Sequence, residues 1–265
     1  MWLRAARAVG IISFASVVVA PNSRTERSAG LTFDYSTKAG VEPAGPTGAG
    51  AFAMTGHGTA AASGSTRIDI VTADGVSLYK VGDYIVITGG KTSLVHPDTK
   101  TYVDLDAQSN NMMKNLPPAV LAQMTITDLK GAVEKVSGNE QLNGQSSEHH
   151  RTNVGYSMNV MGQTIPNTVI TDLWLAKLPF KIALPVSGGS KIAPAGPMAE
   201  MVQKQYDLIP RPDGFTMIKS LTASTVAIMG QTLVTTISTE MSNFKEGDVD
   251  VSKFVVPSDF AKADK

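Results

Sequence analysis

Histidines, cysteines and carboxylates at workable spacing carry most protein chemistry, and this chain offers few of them. It has four histidines, His57, His96, His149 and His150, and no cysteine. Glu148 precedes the adjacent pair, but neighbouring side chains of an extended strand point to opposite faces. Glu148-His149-His150 therefore does not converge on one ion, and a tetrahedral site needs three or four converging ligands. The pair reads as a solvated strand end, and His96, next to Pro97, as a turn residue. Asp104 with Asp106 and Asp248 with Asp250 fall at strand ends or turns, where carboxylates are commonly solvated. There is no Gly-x-Ser-x-Gly elbow, no His-Glu-x-x-His helix and no P-loop, and the lack of cysteine removes thiol chemistry. A Ser-His-Asp triad built from distant residues is left open by spacing. No catalytic residue, metal ligand or cofactor is assigned, and the expectation is a protein that is not an enzyme.

The twelve methionines are more suggestive. Met112, Met113, Met124, Met158, Met161, Met198, Met201, Met217, Met229 and Met241 all fall in expected strands or helices. Methionine is flexible and polarizable, which suits a surface that adapts to irregular apolar ligands; it also fills ordinary cores, and the sequence leaves both readings open. Copper(I) binding by methionine alone needs a dense cluster, and these residues are spread out.

The elements that would position such a surface are strands. From Val154 to Leu178 two alternating runs flank Gly162-Gln163, the signature of a two-residue hairpin turn with glycine first. That register sets Val160 opposite Ile165, Met158 opposite Asn167 and Tyr156 opposite Val169, with Leu173 and Leu175 continuing the same side. The opposite face carries Ser157, Asn159, Thr164, Thr168 and Asp172, as expected of a half-buried antiparallel sheet. VMGQTIPNTVITDL from Val160 to Leu173 returns as IMGQTLVTTISTEM from Ile228 to Met241, an internal repeat of the hairpin.

Elsewhere, Leu31–Ser36 alternates like a first strand, and residues 38–50 read as a Gly, Pro and Ala loop. GAGAFA at Gly48–Ala53 matches a dinucleotide-binding glycine pattern in letters, but follows that loop with no helix after it. Short strands are expected at 67–72, 77–81, 84–88, 93–96 and 101–104, without the intervening helices of a parallel fold. Helical spacing is expected over 108–124, broken by Pro117-Pro118, and over 197–209 between Pro197 and Pro210, with Met198, Met201 and Val202 on its apolar side. Residues 125–136 lead into a polar loop at 137–147, and the tail after Phe260 is expected to fray.

Lys plus Arg and Asp plus Glu both number 23, so the formal net charge is zero, and only 6% of residues are aromatic. No basic stripe exists for nucleic acid. Arg4 and Arg7 precede an apolar run from Val9 to Ala20, a secretory signal pattern too short for a membrane span of ~20 residues. Cleavage after Ala20 or near Ala29 leaves residues 1–29 as signal peptide and leader and residues 30–265 as one domain. The lack of cysteine excludes both disulfides and a lipid anchor, so the expected product is soluble, periplasmic or secreted.

Arg67-Ile68-Asp69, Gly82-Asp83-Tyr84, the turn from His96 to Tyr102, Thr171-Asp172-Leu173-Trp174-Leu175 and Phe254-Val255-Val256-Pro257 together resemble a bacterial family of exported domains of unknown function. That family is similar in turn to the LolA and LolB superfamily of periplasmic lipoprotein carriers. The resemblance implies an α+β fold: a curved antiparallel β-sheet, an unclosed half-barrel, with helices covering its concave face around an apolar cavity. The expected function is to hold a hydrophobic small molecule or lipid acyl chain, without catalysis. Tyr156, Met158, Val160, Ile165, Val169, Leu173, Met198, Met201 and Val202 would line the space between sheet and helix. The alternative is a noncatalytic interaction or sensor module whose partner is an envelope protein.

Overall fold

The structure, a computed structural model, describes residues 26–43, 51–75, 78–107, 124–160, 162–184, 199–210, 212–228 and 230–263. Twelve strands form one open sheet. In chain order they are β1 (Arg27–Glu42), β2 (Phe52–Ala61), β3 (Thr66–Asp74), β4 (Tyr84–Thr88), β5 (Lys91–His96), β6 (Thr101–Asp104), β7 (Thr125–Leu142), β8 (Gln145–Val160), β9 (Gln163–Lys177), β10 (Phe215–Ile228), β11 (Gln231–Asp250) and β12 (Ala261–Lys262). Across the sheet the order is β12-β6-β5-β4-β3-β2-β1-β11-β10-β9-β8-β7. Hairpins dominate because alternating Val, Ile and Thr runs are punctuated by glycine turns, and every neighbouring pair is antiparallel except β12 on β6.

One face, called inner here, carries the core. Phe33, Gly58, Ile68, Ile85, Leu94 and Val103 stand opposite one another from β1 to β6, and the Phe33 ring lies where a side chain at residue 58 would otherwise be. Leu31, Tyr35, Ile70, Ile218 and Met241 join the same buried cluster. Its lid is an extended strap, residues 178–184, that leaves β9 and brings Leu178, Ile182 and Leu184 into the core. The strap ends with the Ala183 amide donating to Thr66 Oγ1 of β3 at 3.1 Å. On a flat sheet β9 and β3 stand five strand spacings, ~24 Å, apart. Six fully extended residues reach only ~20 Å, so the sheet curls around the strap. On the outer face the C-terminal segment covers Tyr84, Val86 and Val95 with Val256 and Phe260, and the Arg67 guanidinium sits 3.6 Å from the Tyr84 ring centroid.

The helix-covered α+β half-barrel expected from the sequence does not form: among the described residues the chain is nearly all sheet. The helix expected over 197–209 exists as α1 (Ala199–Leu208), but it packs on β7 and β8 at one end of the sheet and does not roof a concave face. The helix expected over 108–124 lies outside the described residues except for Met124. The balance shifts because segments read as loops are strand: β1 runs on through Lys38–Glu42, and residues 137–147 form the ends of β7 and β8 around a tight turn at Asn143-Gly144. Both turn residues take positive φ, so a short polar turn replaces a polar loop. Conversely, 78–81 is not strand; the Asp83 carboxylate accepts from the Lys80 amide and ties that segment into a turn. The tail does not fray at Ala261, whose amide bonds Lys100 O at 3.0 Å while that of Ala263 bonds Tyr102 O at 2.8 Å.

Candidate functional site

The β8–β9 hairpin forms as its alternation dictates, but two residues out of the expected register. Val160 stands opposite Gln163, Met158 opposite Ile165, Tyr156 opposite Asn167 and Val154 opposite Val169. The turn lies between Val160 and Gln163, where Gly162 takes φ +80°, left-handed backbone that favours glycine. A shift of two leaves every side chain on its expected face. Tyr156, Met158, Val160, Ile165, Val169 and Leu173 therefore do share one face, continuous through the pairing with the inner face of β1 and β11. All except the buried Leu173 are half-exposed.

The second hairpin repeats the first. Ile228 stands opposite Gln231 as Val160 stands opposite Gln163, and Gly230 takes φ +77°. Leu233 and Ile237 occupy in β11 the places of Ile165 and Val169 in β9, and with Val226 they add half-exposed apolar side chains to the same face. These three were missed by sequence reasoning, although the repeat held the signal. The result is a trough: an apolar strip along β8–β11 that continues outward from the sealed core.

Helix α1 borders this trough. Gly131 of β7 stands opposite Val154, and a side chain there would run into Leu208 of α1, so the missing Cβ lets the helix approach. Met201 is buried in α1. The Val202 side chain and all of Met198 lie outside the described residues. A separate cavity of about 100 Å³ lies between Gly64, Ile87, the Gly89-Gly90 turn and Leu184 of the strap. It is well below the ~300 Å³ of a typical ligand pocket.

No family model matches the chain, and no curated protein matches it. Among solved structures, the crystal structure of a LolA superfamily protein from Nitrosomonas europaea is similar at 9% identity and a TM-score of 0.30, covering 85% of this chain and 90% of that one.

The outer face of the same strands holds a polar cluster that the sequence does not announce. His149 is buried rather than solvated, stacked on Trp174 with ring centroids 4.3 Å apart. Its Nε2 lies 2.8 Å from Asp172 Oδ1 and its Nδ1 3.2 Å from Glu140 Oε1. Arg151 Nε donates to Asp172 Oδ1 at 2.9 Å and Nη2 to Oδ2 at 3.2 Å, while Trp174 Nε1 donates to Glu140 Oε2 at 2.7 Å. Burial pushes the Asp172 carboxyl up, but the Arg151 and His149 hydrogen bonds and charges outweigh it and hold it below the usual range. The Trp174 hydrogen bond does the same for Glu140. Both His149 ring nitrogens face carboxylates, and the cluster acts as a clasp between β7, β8 and β9. His150 points the other way, to Glu148 Oε2 at 3.0 Å, as adjacent strand residues must.

His96 is more than a turn residue. It ends β5 with Nδ1 2.9 Å from Asp83 Oδ2, and the Asp83 side chain is buried. Among the described residues no group of three or more His, Asp or Glu side chains is placed to hold a metal ion.

Proposed function

We propose that the chain is an exported binding protein that holds a hydrophobic ligand, such as a lipid acyl chain, along the trough of β8–β11. One observation carries this reading: Ile237, Val169, Tyr156, Ile165 and Met158 share one half-exposed face, interleaved with Thr171, Thr222, Ser224 and Thr235, whereas the same face further along β1 and β11 is sealed. A long apolar strip open to water is a liability unless something covers it. Each CH₂ of a covering chain contributes about 0.8 kcal/mol, so a long-chain acyl group gains substantial affinity without directed contacts. The ligand lies against the sheet beside α1, and no chemical step is required of the protein.

Mass spectrometry of a solvent extract, from protein purified after native export and compared with a mock purification, tests the proposal; near-stoichiometric lipid is expected. The Met158→Ala, Ile165→Ala double variant should weaken binding of an apolar fluorescent dye at least about tenfold, since two side chains of roughly 1.5–3 kcal/mol burial each are truncated. Its melting temperature should change little, because both residues are half-exposed in the free protein. An empty extract together with unchanged dye affinity in the double variant would sink the reading.

The second reading, a noncatalytic interaction module of the cell envelope, is favoured by β7. This edge strand of 18 residues presents Val133 and Val136 at 47% and 45% exposure. Its Lys130 and Lys135 are the edge charges that discourage indiscriminate strand pairing.

A further inference from the structure

The trough ends against hydroxyls. On the inner face, Thr37 of β1 and Thr239 of β11 stand opposite each other with their Oγ1 atoms 3.3 Å apart, at 3% and 4% exposure. Immediately behind them on the same face of β1 is Tyr35, 2% exposed, whose buried hydroxyl lies close enough to the Thr37 and Thr239 hydroxyls for them to offset part of its burial, yet is in no well-aligned hydrogen bond. Burial pushes the Tyr35 phenol up, so it stays a neutral donor. A buried polar atom left unpaired is costly and stands out in a native fold.

One register step outward, the next residues on this face are Ala39, Ile237, Thr222 and Thr171, all half-exposed, with Thr222 and Thr171 hydroxyls 3.1 Å apart. Exposure thus rises in order from Tyr35 to Thr37 and Thr239 to Ile237, as at the blind end of a groove. The chemistry of that end is uncharged. Across the row from Met54 through Thr37, Thr239 and Ser220 to Leu173 no side chain is ionisable, His150 of β8, three strands from Thr239 and engaged by Glu148, being the next in that row; nor is any from Ala39 through Ile237, Thr222 and Thr171 to Thr152. A carboxylate or phosphate placed there would lose its hydration with no cation to replace it. An ester carbonyl or an alcohol would instead accept from Tyr35 and exchange hydrogen bonds with the threonines.

We infer that Tyr35, Thr37 and Thr239 form a head-group subsite, and that the ligand of the trough is a neutral acyl lipid, an ester or alcohol rather than a free fatty acid or phospholipid headgroup. This rests on the trough reading. From Thr239 to Leu233 the groove runs ~20 Å, enough for a long-chain acyl group laid along β11.

The test uses the purified full chain, the apolar dye 1-N-phenylnaphthylamine, and two competitors of equal chain length, 1-monopalmitoylglycerol and palmitate, at pH 8. The neutral lipid should displace the dye about tenfold more effectively than palmitate. Tyr35→Phe and Thr239→Val should each weaken monopalmitoylglycerol by about five- to tenfold, the loss of one hydrogen bond, while dye affinity holds. A hydroxyl kept for stability would lower the melting temperature when removed, whereas the unpaired Tyr35 hydroxyl predicts a Tyr35→Phe protein at least as stable as the parent. Equal competition by both lipids, or variants indifferent to monopalmitoylglycerol, overturns the head-group assignment and leaves the trough standing if the dye still binds. Failure of dye and both lipids to bind overturns the trough reading as well.

Discussion

At the scale of single residues, the outer-face clasp shows how tertiary context rewrites a local reading. His149 beside His150 at an apparent strand end suggests solvation. What buries it are partners distant in sequence: Glu140, Asp172 and Trp174. The local spacing was read correctly, since adjacent strand residues did point apart; the partners could not be read without the β7–β8–β9 register. The clasp makes stability depend on acid. Asp172 and Glu140 both have folded-state values below the ordinary carboxylate range, so their contribution is complete above that range and lost as pH falls through the depressed values. Asp172→Asn leaves Arg151 and His149 without their anion at neutral pH. The cost should be about 2 kcal/mol, below the figure for a fully buried pair because Arg151 is partly solvated. At this chain length that lowers the melting temperature by roughly 5 °C at pH 7. The gap between the two proteins should narrow only as pH falls below the ordinary carboxylate range, where the wild-type carboxylate is protonated in turn. Thermal melts across that range check it; parallel curves would show that Asp172 does not titrate with folding.

Elements were far more legible than their cover. The period-two pattern fixed which side chains share a face, and the VMGQT and IMGQT repeats proved to be successive hairpins with the same turn and register. Turn geometry was not legible to the residue, because glycine suits either central position and only the backbone shows the register, with Gly162 and Gly230 at φ +80° and +77°. The helices were over-weighted: proline punctuation and methionine spacing marked α1, yet nothing in the pattern said it would lie at the β7 end. Its seat is Gly131, whose missing side chain admits Leu208. The turn glycines give a clean prediction at this scale. Gly162→Ala and Gly230→Ala force a side chain into left-handed backbone and should each cost about 1 kcal/mol. Gly155→Ala, in the same hairpin with ordinary φ and open space around its Cβ position, should be neutral or slightly stabilising through loss of chain entropy in the unfolded state. Denaturant midpoints of the three variants decide this, and a Gly155→Ala loss as large as that of Gly162→Ala would mean that backbone conformation is not what sets these positions.

At the scale of the whole molecule, the place of β1 bears on where a leader could be removed if the chain is exported. The sequence gives two cleavage positions, after Ala20 and near Ala29, and composition does not separate them. Topology does, because β1 lies between β2 and β11 near the middle of the sheet rather than at an edge. Its first residues are paired: Arg27 with Asp250, Ser28 with Val249 and Ala29 with Asp248. The Ala29 carbonyl accepts from the Ala62 amide at 2.9 Å and the Glu26 carbonyl from the Val251 amide at 3.1 Å. Cleavage at Ala29 would strip these partners from the β11 end and from the segment that leads through Val251 and Phe254 to the C-terminal cover. Of the partners left behind, Val249 is buried, and a backbone group there that stays unpaired and out of water costs about 1–3 kcal/mol. If the chain is exported, the expected mature N-terminus is therefore between residues 21 and 26, with β1 left whole. Intact mass and N-terminal sequencing of protein recovered after export read this directly. A mature chain beginning at Gly30 would show that the sheet tolerates an open end beside Asp250, and that the first turn of pairing in β1 is dispensable to the fold.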